Sequence, residues 1–272
     1  MLNWILENDI FEDNHEQLQR EITKAGMTYE VIQYLPSEGG DFSRFGPNDF
    51  LYGCLEISLR LKQESPQCII YNTIEAYECT AYYPVFGELL LNRRHTMLPY
   101  GDLRSRADDL FGTFGGGPFG GIFVRPNSGM KTFTGLVMLP KLLEKDIEFI
   151  ERYSDIPPDT LIVVAPARNI AREYRFVVGG QKVITGSLYR VKSDLVSKTV
   201  TEGDEVFRIA QGFLDKVDYN PDPLWVMDVC QTEEGEWCVL EIGCFSCAGL
   251  YACDLRKVVQ AVGESVMKGV GE

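Results

Sequence analysis

Apolar and polar positions follow two different rhythms along this chain. In the first hundred residues short apolar runs alternate with amphipathic stretches. Residues 2–6 (LNWIL), 28–34 (TYEVIQY) and 68–71 (CIIY) read as strands, and 13–25 and 54–63 as helices. A strand–helix–strand rhythm predicts a small, mostly parallel sheet covered by helices. No G-x-G-x-x-G follows the first strand, which argues against a Rossmann-type dinucleotide site there. A glycine-rich stretch, FGTFGGGPFGG (111–121), then interrupts the pattern. It lacks the order G-x-x-x-x-G-K-[ST] of a phosphate-binding loop and reads as a linker or lid hinge.

Beyond it strand-like runs dominate: 121–125 (GIFVR), 161–165 (LIVVA), 174–178 (YRFVV), 182–188 (KVITGSL), 224–229 (LWVMDV) and 237–242 (WCVLEI). A helix over 204–217 places Val206, Ile209, Ala210, Phe213 and Leu214 on one face, and a last helix is predicted over 255–268. The expected division is an N-terminal α/β domain over 1–110 and an antiparallel-rich α+β region over 111–272.

Composition narrows the function classes. With 272 residues, 45% hydrophobic and 24% charged, the chain can bury a sizeable core. No apolar run approaches the roughly 18 residues of a membrane span, and the acidic N-terminus does not resemble a secretion signal, so no membrane partner and a cytoplasmic location are expected. The net charge of −14 opposes nucleic-acid binding, which needs clustered Lys and Arg. Eight cysteines without a signal sequence are expected to be reduced and mostly buried. Cys244 and Cys247 form a lone C-x-x-C, a weak motif for redox or metal chemistry. With only His15 and His95, a Ser-His-Asp or Cys-His hydrolase is poorly supported.

Three constellations carry candidate chemistry. In GIFVRPNSGMKTFTG (121–135) a strand delivers Arg125, and a small-residue turn follows before Lys131. Two cations beside free backbone N–H groups make a workable phosphate cradle, while an ordinary hairpin turn with solvated cations is the plainer reading. In 161–190 an apolar strand runs through Val163, Val164 and Ala165 to Pro166, and Glu173-Tyr174-Arg175 opens another strand. Alternation puts Glu173 and Arg175 on one face, and Gly179-Gly180 is the expected hairpin turn. In 228–251 a hairpin brings Asp228 and Glu241 together among apolar neighbours. Two buried carboxylates repel, so the pair requires either a shared divalent cation or arginines.

The order of these features resembles the catalytic core of the ATP-grasp superfamily. More closely, it resembles the clade named for two signature arginines and a lysine, found in bacterial and phage genomes. The resemblance covers roughly 121–254 and implies an α+β ATP-grasp fold preceded by an α/β pre-ATP-grasp domain. By that resemblance Arg125 and Lys131 contact nucleotide phosphates, and Val163, Val164 and Ala165 form the hinge beside adenine. Glu173 and Arg175 belong to the Glu-Tyr-Arg strand, with Arg175 toward the phosphates, and Asp228 and Glu241 ligate magnesium. The tail Ala248-Gly249-Leu250-Tyr251 matches the clade's ending. One departure stands out: Glu241-Ile242-Gly243 replaces the usual Glu-x-Asn, with Ser246 or water as a substitute ligand.

The implied cofactors are ATP and Mg²⁺. The implied activity is an ATP-dependent carboxylate–amine (peptide-type) ligase acting through an acylphosphate, with Arg125, Lys131 and Arg175 as catalytic residues. Its partners are ATP and carboxylate and amine substrates, small molecules or peptides. The alternative is a nucleotide-binding module of the same fold with weak or no ligase activity. Arg93 and Arg94 are candidates for a substrate carboxylate or for a helix cap, the cap being favoured.

Overall fold

The computed structural model describes residues 1–8, 10–34, 41–117, 120–130 and 132–269. Lys131, expected in the phosphate loop, lies outside the described residues. The chain divides into two compact units: residues 1–73, 172–229 and 241–272 form the first, and 74–171 with 230–240 the second. These limits differ from the division at 110/111 expected from sequence.

The first unit opens with β1 (Asn3–Glu7), α1 (Glu12–Lys24), β2 (Thr28–Ile32), β3 (Asp49–Tyr52) and α2 (Leu55–Glu64). Strand β1 is central and pairs in parallel with both β2 and β3, as the early rhythm predicted. Its Trp4, Ile5 and Leu6 are all 0% exposed. A central parallel strand is covered on both faces, which explains an unbroken apolar run in place of alternation. The predicted strand at 68–71 touches the sheet only through an isolated bridge, Ile69 to Phe50. The role expected of it falls to β3, whose four residues carry little periodic signal.

The second unit contains α3 (Cys79–Phe86), β4 (Thr96–Pro99), α4 (Ala107–Phe114), β5 (Ile122–Pro126), β6 (Leu136–Met138), α5 (Leu143–Tyr153) and β7 (Leu161–Pro166). Its sheet has the order β4-β7-β5-β6 and is antiparallel. The start of the glycine-rich stretch, residues 111–114, is the last turn of α4 rather than hinge. Helix α5 turns Leu143, Ile147 and Ile150 inward at helical spacing.

The chain then re-enters the first unit through β8 (Ile170–Gly179), β9 (Lys182–Val191), β10 (Asp194–Val200), α6 (Glu205–Leu214), β11 (Leu224–Thr232), β12 (Trp237–Cys244) and α7 (Leu255–Gly269). These strands form a five-stranded sheet in the order β10-β9-β8-β11-β12. Gly179 pairs with Lys182, so the β8–β9 turn is Gly180-Gln181, one residue later than the glycine pair suggests. Both turn residues have positive φ, 53° and 62°, as a two-residue type I′ turn requires. Helix α7 presents Leu255, Val258, Val259 and Val262 to a core that also holds Trp4, Phe50 and Phe245. Burying each such side chain stabilises by about 1.5–3 kcal/mol, and this core holds β8 and β11 in place. Among the described residues no helix is long and apolar enough to cross a membrane.

Candidate functional site

In the first unit the sheet order sets β8 between β9 and β11. Glu173 and Arg175 come from β8, Tyr189 and Arg190 from β9, and Asp228 from β11. Arg175 grips Asp228 with two parallel bonds, Nε to Oδ1 and Nη2 to Oδ2, both 2.8 Å. Its Nη1 donates to the Gly249 carbonyl at 3.1 Å. The guanidinium also lies 5.3 Å from the Tyr251 ring centre and 5.7 Å from that of Tyr189. Those rings stack at 4.9 Å with 12° between their planes. The Arg175 side chain is 11% exposed and that of Asp228 is 2%. Burial acts most strongly on Arg175 and opposes its charge. Attraction and hydrogen bonds from Asp228, with Tyr251 and Tyr189, outweigh it and hold the guanidinium firmly protonated.

Glu173 and Arg175 join the same cluster, as alternation along β8 predicts, but β9 contributes through an irregularity. Glu173 stands opposite Arg190 and Tyr174 opposite Leu188, so Tyr189 has no partner across the ladder. This bulge places two consecutive β9 side chains on Glu173. The Tyr189 hydroxyl donates to Glu173 at 2.7 Å, and Arg190 Nε lies 3.6 Å from its other oxygen. The hydroxyl also lies 3.4 Å from Asp228 Oδ2. Burial raises the Glu173 pKa; Tyr189 and Arg190 pull it down, and the negative charges of Asp228 and Glu241 push it up. Glu241 is thus electrostatically part of the group, and three carboxylates face two guanidinium groups. Arg190 Nε–H is buried without a hydrogen-bond acceptor. Tyr189 was not anticipated, and Tyr251 was expected only as part of the tail that resembles the clade's ending, not as a partner of Arg175. A bulge leaves no signature in hydrophobic alternation, and Tyr251 sits in the left-handed region, φ 49°, in a loop.

In the second unit Arg125 lies on β5, 7% exposed, directly across the ladder from Val163 on β7. Val163 and Val164 have ladder partners on both sides, Met97 and Thr96 on β4, Arg125 and Val124 on β5. Ala165 is paired on the β5 side alone, with Phe123. Of the three residues expected beside adenine, only Ala165 therefore lacks a strand partner on the β4 side among the described residues. The turn after Arg125 is also less free than expected. Asn127 donates its N–H to the Leu161 carbonyl at 2.9 Å, and its side-chain and main-chain oxygens accept from Thr80 and Cys79 at the start of α3. Arg94 donates to the Thr113 carbonyl at the end of α4, and Arg93 pairs with Glu236. The helix-cap reading holds for Arg94.

The family described as the ATP-grasp domain, second family of the clade with two arginines and a lysine, matches residues 117–261, more than half of the chain. The chain belongs to that family. The matched ATP-grasp region includes Arg125, Glu173, Arg175, Asp228 and Glu241. The fold is that of solved ATP-grasp structures. D-cycloserine synthetase DcsG superposes with a TM-score of 0.64 at 14% identity, covering 97% of this chain and 99% of that one. D-alanyl-alanine synthetase A from Vibrio cholerae O1 biovar eltor gives 0.61 at 13% identity, with 98% of each chain covered. The ATP-grasp ligase PsnB with its minimal precursor gives 0.56 at 13%, covering 97% and 98%. No curated protein matches the chain by sequence. Within the ATP-grasp domain, the departure at Gly243 has a packing correlate: a Cβ there would lie 3.3 Å from Val226 Cγ2.

Proposed function

We propose that this ATP-grasp protein is an ATP-dependent carboxylate–amine (peptide-type) ligase that acts through an acylphosphate. The observation that carries the reading is Arg175, a buried and permanently charged arginine held in one orientation by Asp228, the Gly249 carbonyl and the Tyr189 and Tyr251 rings. A guanidinium has five N–H donors, and three of those on Arg175 are engaged. The remaining donors, already oriented, suit phosphate oxygens.

The donor set also fits magnesium. Among the described residues Glu173, Asp228 and Glu241 gather about Arg175 and Arg190, and carboxylate oxygens are the hard ligands that Mg²⁺ prefers. Among the described residues no three His, Cys, Asp or Glu side chains converge to hold a metal by themselves. Asp228 and Glu241 would supply two ligands, the remainder being phosphate and water, in the manner usual for Mg²⁺. Bound there, the ion would act as a template and Lewis acid for phosphoryl transfer to a carboxylate. Each unit would contribute by itself: in the first Arg175 steadies negative charge, and in the second Arg125, with Lys131, does the same while the main chain at Ala165 offers hydrogen-bonding groups to adenine. Related folds lend support on substrate class, since PsnB holds a precursor peptide and DcsG is a D-cycloserine synthetase.

The test is ADP release with panels of carboxylates and amines in the presence of magnesium. Acceleration by one acid–amine pair supports the ligase. An Asp228→Asn or Glu241→Gln variant that releases ADP as fast as wild type sinks the metal assignment. The second reading, a nucleotide-binding module, is favoured by Gly243 in the usual asparagine position. Calorimetry showing Mg·ATP binding with no turnover over the whole panel selects it.

A further inference from the structure

The eight cysteines fall into two groups. Cys68, Cys79, Cys230, Cys238 and Cys253 are buried, while Cys54, Cys244 and Cys247 are half-buried. These three half-buried thiols are also neighbours: Cys247 makes a side-chain hydrogen bond with Cys244 and lies within the electrostatic reach of Cys54. Strand β12 ends at Cys244, and the turn that follows is pinned through Ser246, itself 0% exposed. The Ser246 carbonyl accepts the Gly53 N–H at 2.9 Å, its hydroxyl accepts the Tyr71 N–H at 2.9 Å, and its own N–H donates to the Tyr71 carbonyl at 3.3 Å. These bonds bring Cys54, one residue past Gly53, to Cys247, one residue past Ser246. Cys54 is fixed in turn by its N–H on Glu7 Oε2 at 2.5 Å and by its place at the start of α2. Among the described residues no three such groups have the geometry to hold a metal ion.

We propose that Cys244 and Cys247 are a reversible dithiol–disulfide pair that exchanges with low-molecular-weight disulfides. The roles follow from the environments. Cys247 holds its proton well above the usual thiol range, first because its S–H is shared with Cys244 and second because it is buried. Cys244, the partner in that contact, gives up its proton and attacks one sulfur of the external disulfide as the thiolate. The external S–S bond breaks, one thiolate leaves and takes up a proton, and a mixed disulfide remains on Cys244. Cys247 then loses its proton and attacks Cys244 Sγ, releasing the second external thiol. Two electrons pass from the cysteine pair to the reagent, which leaves as two thiols. Cys244 follows Glu241 by three residues on the same strand, so closing the bond draws on the end of β12 that carries Glu241. That consequence, and only that, rests on the nucleotide-site reading above.

The test exposes the whole protein to graded mixtures of oxidised and reduced glutathione and maps its cysteines by mass spectrometry. The expected result is a peptide linking Cys244 and Cys247, lighter by two hydrogens, reversed by dithiothreitol, with the five buried thiols still free. In Cys247→Ser the exchange stops at glutathione bound to Cys244. Absence of the link at every ratio, or oxidation of buried cysteines as readily, overturns the pair. Mg·ATP calorimetry then reads the consequence, an affinity weaker by about 10-fold or more in the oxidised form, as for displaced partners of metal ligands. A complete link with unchanged affinity overturns the coupling to Glu241. No binding by either form counts against the nucleotide site, while the mass map still decides the thiol pair.

Discussion

The two units hold their candidate residues on opposite plans. In the first, side chains hold side chains: Asp228 is gripped by Arg175, Arg175 is enclosed by two stacked tyrosines, and Tyr189 reaches across to Glu173. In the second, the backbone does most of the work. Val163, Val164 and Ala165 are apolar and 0% exposed; strand pairing holds them, with Arg125 across the ladder from Val163 and only Ala165 unpaired on the β4 side. A network of ionised groups is vulnerable at each member, because losing one leaves another buried and unpaired. A hydrogen-bonded ladder tolerates changes in its side chains and loses only what the missing group did.

Asp228→Ala breaks the first plan at its most buried point and has the largest expected effect on stability. It leaves the Arg175 guanidinium largely buried without its bidentate partner, at a cost of about 3–5 kcal/mol, read by chemical denaturation. A loss under about 1 kcal/mol would show that Arg175 has other partners as good as Asp228. Arg125→Ala tests the second plan. The β5–β7 ladder should survive, so the unfolding midpoint moves less than in Asp228→Ala, while ADP release falls by about 10²–10³-fold, as for loss of one transition-state donor. An equal loss of stability in both variants would erase the contrast between the units.

Glu173→Gln sharpens the comparison through pH. The folded-state pKa of Glu173 is raised above the ordinary 4.5, so folding favours its protonated form. Its favourable contribution is present below the ordinary value and is lost as pH rises through the raised one. Wild type should therefore lose stability relative to Glu173→Gln across that interval, and denaturation at a series of pH values measures the difference. A flat difference would mean that Tyr189 and Arg190 fully offset burial. The smallest effect is expected from Arg94→Ala, which removes a cation and donor from the end of α4. Its cost is about 0.3–1 kcal/mol, with no change in ADP release; a large change would return Arg94 to the substrate-binding role.

Much of the architecture was legible because each element carries its own period. The parallel N-terminal sheet, the apolar face of α6 and the long strands after residue 160 all follow from runs and repeats in the chain. Elements without a period escaped: β3 is four residues long, and β6 is three. The residues of the candidate site were named from order and chemistry, and Glu173, Arg175 and Asp228 do converge. The parts that Tyr189 and Tyr251 play beside Arg175 were not legible, because one depends on a bulge and the other on a loop in the left-handed region. On β7 the pairing with β4 ends at Val164, so two of the three residues expected to form the hinge are paired on both sides, and nothing local to the β7 sequence marks that limit.

The amino-acid sequence by itself determined which faces are apolar, where the β8–β9 hairpin turns to within a residue, and which ionisable groups are available. Period and composition are local properties, so they can be read locally. Only the tertiary structure decided that Asp228 closes on Arg175 and Glu173 on Tyr189 and Arg190. Those pairings depend on the lateral order β9-β8-β11 and on a one-residue slip between β8 and β9. Alternation says which face a side chain occupies, but strand order and register say what it meets there.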